Sequence, residues 1–156
     1  MKTIMRIACL AFLTMLGCIE NEIRQEDRIY IIENGTTFSI TIEYYNRTNS
    51  DMNTDVSSVL SSRGDRLLGQ LEQIPVTNFL EELPTSAFAA DSVKIVFNES
   101  RFTTCTYDFN SKTFSEPINR NLFKHSNYEN LGNGRYLFKI TQEDYENALP
   151  CNDNCD

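Results

Sequence analysis

Thr36 to Asn46 alternates apolar and polar side chains residue by residue, a period that suits a half-buried strand and not a helix. Phe38, Ile40, Ile42 and Tyr44 fall on one face, and Thr37, Ser39, Thr41 and Glu43 on the other. The preceding run, Arg28 to Glu33, is apolar and rich in β-branched side chains. Between the two stands Asn34-Gly35, a dipeptide that tolerates the positive φ angles of a tight hairpin turn. The expectation is a β-hairpin. Pairing Glu33 with Thr36 sets Ile31 opposite Phe38 and Ile29 opposite Ile40, which makes one face wholly apolar.

Downstream, Asn46 to Asp55 is a polar loop of Asn, Ser, Thr and Asp. Over residues 56–90 the signals conflict. Leu67, Leu68, Leu71 and Ile74 have helical spacing with Gly69 among them, and Val76, Phe79, Leu80 and Leu83 can form a helical turn stopped by Pro84. Two short helices are the expectation, with short strands as the alternative. A second hairpin follows: Val93, Ile95 and Phe97 run into a loop of three residues, and Phe102 to Phe109 returns. That register sets Phe97, Ile95 and Val93 opposite Thr103, Cys105 and Tyr107 and keeps Cys105 on the buried face. Leu131-Gly132-Asn133-Gly134 is a further turn, leading into Tyr136, Phe138 and Ile140 with period two. Thr141-Gln142-Glu143-Asp144 has the capping-box pattern, so Tyr145 to Leu149 reads as a short helix stopped at Pro150.

The N-terminus has a different character. Lys2 and Arg6 form a positive region, and Ile7 to Leu16 is a greasy run too short to span a bilayer, which takes about 20 helical residues, but of the length found in signal peptides. The run ends Met15-Leu16-Gly17-Cys18, which resembles the lipobox of bacterial lipoproteins. Such a site needs a small residue before the cut, here Gly17, and a thiol after it, Cys18, to carry the lipid. Several acyl chains anchor stably where one does not. The stretch from Cys18 to Asp27 is polar and acidic and reads as a tether. Removing residues 1–17 takes away Lys2 and Arg6 and no acid, which moves the net charge from −8 to about −10. So acidic a surface repels phosphate backbones, which argues against nucleic-acid binding.

The stretches Asp91-Ser92-Val93-Lys94-Ile95-Val96-Phe97 and Thr141-Gln142-Glu143-Asp144-Tyr145-Glu146-Asn147-Ala148, together with the leader, resemble the small uncharacterised lipoproteins of Bacteroides-type bacteria. The resemblance covers the signal and roughly the last 65 residues. It implies a β-rich, sandwich-like mature domain and carries over no active site.

Three cysteines remain after Cys9 leaves with the leader and Cys18 is acylated: Cys105, Cys151 and Cys155. In an oxidising envelope they allow one disulfide. Cys151–Cys155 would close a small terminal loop, whereas Cys105 with either partner would staple the tail to the sheet. A zinc site from these three and His125, the one histidine, has a permissible spacing, but such sites are usually intracellular, so no metal is assigned. His125 reads as a solvated loop residue. No nucleophile motif accompanies it, so no catalytic residue and no cofactor are assigned. Arg63-Gly64-Asp65 spells an integrin-binding tripeptide of a kind common by chance. Asp91-Ser92-Val93 resembles the O-glycosylation motif of Bacteroides-type cells, with Ser92 accessible at the start of a strand. Tyr44, Tyr45, Tyr107, Tyr128 and Tyr136 are candidates for a glycan-stacking surface.

The chain is therefore expected to be mainly β: an antiparallel β-sandwich-like single domain with one or two short helices, after a helical signal peptide. Its divisions are a signal peptide (1–17), a tether (18–27), a β-rich domain (28–150) and a Cys-containing tail (151–156). The functional expectation is an envelope-anchored lipoprotein at the outer membrane or cell surface, held to the membrane through lipid on Cys18. It acts as a non-enzymatic binding or structural module for a protein or glycan partner, with a small envelope hydrolase or periplasmic enzyme inhibitor as the alternative. A pocket holding two close carboxylates, or His125 beside a hydroxyl, would favour the enzyme. A flat aromatic patch or an open sheet edge would favour binding.

Overall fold

The structure is a computed structural model of the chain and describes residues 23–45, 56–78, 80–152 and 155. The signal peptide, Gly17 and Cys18, and the loop centred on residues 46–55, lie outside the described residues.

The fold is mainly β, an antiparallel β-sandwich-like arrangement of two sheets in one domain, with two short helices among the described residues. The strands are β1 (Gln25–Asn34), β2 (Ile40–Tyr45), β3 (Val56–Leu60), β4 (Arg66–Pro75), β5 (Ser92–Phe97), β6 (Arg101–Asp108), β7 (Thr113–Phe114), β8 (Glu129–Gly132), β9 (Arg135–Ile140) and β10 (Leu149–Pro150). The helices are α1 (Leu83–Phe88) and α2 (Gln142–Asn147). One sheet runs β4-β1-β9-β8 and the other β10-β6-β5-β2-β3, with β7 attached to β6. All pairs are antiparallel except β1 with β9, which is parallel. Between the sheets Tyr30, Ile32, Tyr136, Phe138 and Ile140 from the first meet Ile40, Ile42, Tyr44, Val93, Ile95, Phe97, Cys105 and Tyr107 from the second. Leu83, Leu122, Phe123 and Tyr128 belong to the same core.

The expected hairpin at Asn34-Gly35 does not form. Strand β1 pairs with β4 on one side, Ile31 facing Leu68, and with β9 on the other, Ile32 facing Phe138. Neither edge is left for β2, which joins the opposite sheet between β3 and β5. The segment Gly35–Ser39 carries the chain across. The Asn34 side chain, fully buried, holds that crossing: its amide donates to the carbonyls of Phe38 (2.8 Å) and Leu60 (3.1 Å), and its oxygen accepts from the Thr36 amide (2.9 Å) and hydroxyl (2.8 Å). Gly35 donates its N–H to Ile140 O, and a Cβ on Gly35 would stand 2.5 Å from that same oxygen. Glycine is needed here for close approach rather than for a turn. The face parity of β1 is also the reverse of the expectation, since Tyr30 and Ile32 enter the core between the sheets, whereas Ile29 and Ile31 lie on the opposite face, where Ile31 is nonetheless buried.

Residues 67–74 form part of strand β4 instead of a helix, with Leu67 and Leu71 turned inward and Leu68 outward. Pro84 starts α1 rather than stopping a helix before it, as its locked φ and missing N–H allow in a first turn. Phe79 lies outside the described residues. The β5–β6 hairpin forms with a three-residue loop, Asn98–Ser100, that closes on Arg101, so Val93 faces Cys105 and Ile95 faces Thr103. The loop length is the expected three residues, but three residues set Phe97 against Arg101, whereas the expected facing of Phe97 and Thr103 takes five; because that two-residue difference preserves parity, Cys105 stays buried. The β8–β9 turn uses positive φ at Gly132, Asn133 and Gly134, and Tyr136, Phe138 and Ile140 point inward as their spacing requires. Thr141 and Asp144 make a complete capping box. Helix α2 ends at Asn147, earlier than expected, because Leu149 and Pro150 pair with β6. The expected tether is likewise shorter, since Gln25 to Asp27 already belong to β1.

Candidate functional site

A cavity of about 170 Å³ opens between the two sheets. Ile95 and Phe97 from β5, Thr103 from β6, and Phe138 and Ile140 from β9 form its apolar walls; Pro117, Arg120, Asp144 and Asn147 frame the mouth. The frame is built by two short elements. A 3-10 turn at Ile118–Arg120 presents Arg120, and the first turn of α2 presents Asp144. Arg120 forks onto the Asp144 carboxylate through Nε (2.6 Å) and Nη2, and Nη2 also donates to Lys139 O (2.8 Å). Its guanidinium lies over the Phe138 ring at 4.5 Å, a favourable cation–π distance. Asp144 in turn accepts from the Thr141 amide (2.7 Å) and hydroxyl (2.9 Å). Both charges at the mouth are thus matched and geometrically pinned. Such a frame orients an uncharged apolar group without offering a free base or nucleophile.

The second concentration of titratable groups surrounds His125, in the 3-10 turn His125–Asn127. Glu81 fastens that turn, taking His125 N–H on its carbonyl (2.7 Å) and Ser126 N–H on its carboxylate (3.0 Å). The His125 Nδ1 lies 2.8 Å from the Tyr30 hydroxyl, and its ring sits edge-on to Tyr136 at 4.7 Å. Beneath them Arg28, 1% exposed, donates to the Glu26 carboxylate (2.9 Å) and to Asn78 O (2.6 Å). Burial holds the His125 pKa below the ordinary histidine value; the Glu81 carboxylate opposes this and the Arg28 charge adds to it. Burial also raises the Tyr30 phenol far above the ordinary tyrosine value, against the Arg28 charge and hydrogen bond. The phenol and Nδ1 share one hydrogen bond, and burial favours the uncharged imidazole in it. His125 is therefore anchored to the core, not the solvated loop residue expected from its neighbours. The hydroxyl beside it is a fully buried phenol that holds its proton firmly, unsuited to nucleophilic attack.

The chain matches no family model, no curated protein and no solved structure.

The remaining expected sites fall out as follows. Cys151 and Cys155 are disulfide-bonded, and Cys105 is a free buried thiol beside Arg120 O, so the terminal loop closes and the staple to the sheet does not form. Among the described residues no group of three or more His, Cys, Asp or Glu is placed to hold a metal ion. Ser92 is 3% exposed where β5 pairs with β2 and β6, so the folded domain does not present it for glycosylation. Tyr44, Tyr107, Tyr128 and Tyr136 belong to the core, and Tyr45 is half-buried, so they make no flat stacking surface. Arg63-Gly64-Asp65 lies in the β3–β4 turn, where the Asp65 carboxylate is tied to the Ser62 amide (2.9 Å) and hydroxyl (3.0 Å). Arg120 carries no sequence signal, because Asp144 lies 24 residues along the chain, and Arg28 pairs locally with Glu26 but its other partner, Asn78 O, is 50 residues away; Asp144 was visible through its capping box.

Proposed function

We propose that the protein is a lipid-anchored envelope lipoprotein of the Bacteroides type, and that its β domain is a non-enzymatic binding module. The anchor rests on the leader and Cys18. The observation that carries the binding reading is the cavity with its pinned Arg120–Asp144 mouth: apolar walls, and charges that neutralise each other. A dry apolar cavity of about 150 Å³ suffices for a benzene-sized molecule. The ligand class is therefore an uncharged apolar group about the size of one aromatic ring, free or carried on a partner. The cavity lies toward the Asn34 end of β1, where Ile140 pairs, and the chain enters β1 at Gln25. Ten residues of strand separate those ends, about 30 Å, so the cavity and the point where the chain enters the domain stand at opposite ends of β1. The hydrolase alternative draws no support from His125, whose neighbouring hydroxyl is a core phenol.

Titration of the isotope-labelled chain with p-cresol tests the site. Saturable shifts confined to Ile95, Thr103 and Ile140 methyl groups are expected, and Thr103→Phe, which fills the cavity, should abolish them. Absence of saturable binding at millimolar ligand would refute the cavity assignment. Globomycin-sensitive processing and a diacylglyceryl mass on Cys18 test the anchor; a protein that keeps Met1 and an unmodified Cys18 thiol would overturn it.

A further inference from the structure

Strand β4 is the last strand of its sheet, paired with β1 on one side and, among the described residues, with no strand on the other. Among the described residues no backbone bond from outside the sheet reaches Leu67 to Glu72. Natural sheets usually blunt such an edge with lysine, proline or a bulge. The devices carried by the strand itself stand at its far end, Pro75 and the left-handed Gln73 with φ 51°, and helix α1 packs against the strand at Gly69, where Ala87 O and the Phe88 ring would each meet a Cβ at 2.8 Å. Leu68, near the middle, is 62% exposed.

The open segment is complementary to itself. Laid antiparallel on a second copy with Gly69 facing Gly69, Arg66 falls opposite Glu72, Leu67 opposite Leu71 and Leu68 opposite Gln70, each pair occurring twice about a two-fold axis. Arg66, Leu68, Gln70 and Glu72 share the outer face, so the charged pairs meet at the surface; Leu67, Gly69 and Leu71 share the inner face. Leu68 then lies diagonal to its own copy, a separation at which side chains in a sheet still touch. Sliding the pairing by two residues in either direction sets both Arg66 and Glu72 against uncharged residues, so the charges select one register. Glu72 is exposed, and Arg66, although held by Glu33 through Nε and Nη2, remains half-exposed on that face.

We propose that the protein self-associates through β4, joining the first sheets of two copies into one continuous sheet by an isologous two-fold contact. A single strand pair is a small interface, so confinement of the chains on a membrane, as the anchor implies, raises the dimer fraction.

Disulfide trapping of the full chain in intact cells tests this. Leu68→Cys with Gln70→Cys sets two thiols directly opposite across the axis, within bonding reach, whereas the single variants leave only diagonal thiols. Cys105 is buried and does not compete. The double variant is expected to give at least ten-fold more covalent dimer than either single variant. Adding Glu72→Lys, which faces Arg66 of the second copy with a like charge, should cut that yield several-fold. All three positions are exposed, so folding is retained. A double variant that stays monomeric, or a yield indifferent to Glu72→Lys, would overturn the proposal. Light scattering of the purified unmodified chain in detergent gives a second readout: a mass rising toward the dimer with concentration supports it, and a monomer throughout defeats it.

Discussion

Replacing Asn34 by alanine separates two accounts of the same dipeptide. In a two-residue hairpin, Asn34 would be an exposed turn residue, and its loss would cost about 0.5 kcal/mol or less, the usual scale for a surface position. In the observed crossover its carboxamide is buried and makes four hydrogen bonds, two given and two accepted. Some of these groups recover: the Thr36 hydroxyl also lies 3.3 Å from Phe38 O. The Leu60 carbonyl and the Thr36 amide lose this partner, and each buried group left unpaired costs about 1–3 kcal/mol. With the small void left by the side chain, the expected loss is about 4 kcal/mol, a large share of the 5–15 kcal/mol that typically holds a domain. Urea unfolding followed by far-UV circular dichroism reads it directly. With a slope of about 2 kcal/mol per molar urea, the midpoint should fall by about 2 M. Asn34→Gly should behave like the alanine variant, although a hairpin turn would accept glycine readily. A midpoint within about 0.5 M of the parent for both variants, less than about 1 kcal/mol at that slope, would refute the crossover reasoning.

Other outcomes follow from the same contacts. The His125 pKa is held below its ordinary value of 6.5 by burial, so between that value and the lower folded one the unfolded chain carries a proton that the folded chain lacks. The stability this contributes is complete above pH 6.5 and is lost as pH falls through that window; His125→Gln should flatten this part of the pH dependence of the urea midpoint, and an unchanged slope would contradict it. Tyr44 is buried with its hydroxyl unpartnered among the described residues. Tyr44→Phe should therefore leave stability unchanged or raise it by up to about 1 kcal/mol, and a clear loss in melting temperature would point to a hidden partner. Burial pushes the Cys105 thiol up to about 11. Mass spectrometry after alkylation should find it unmodified in the native protein and modified in urea; labelling without denaturant would disprove its burial.

Local pattern was enough to find several elements. Where a strand has one face turned from the core, as in Ile40–Tyr45 and Arg135–Ile140, the period of two shows both the strand and its buried side. The Gly132–Gly134 turn and the Thr141–Asp144 capping box were also legible, because their hydrogen bonds and φ angles concern residues a few positions apart. The cavity was not legible: Arg120 and Asp144 stand 24 residues apart, and the walls come from three strands in two sheets. The same holds for Tyr30 and His125, separated by 95 residues.

Strand β1 shows where that boundary lies. Its run from Ile29 to Ile32 is apolar on both faces, so no alternation indicates which side enters the core, and both of its edges bond to strands distant in sequence. Composition and spacing determine that such a segment is extended and buried. Which strands flank it, which way Asn34 sends the chain, and which cysteines meet are decided by the assembled sheets, because backbone hydrogen bonds and apolar contacts are non-specific until geometry brings particular partners together.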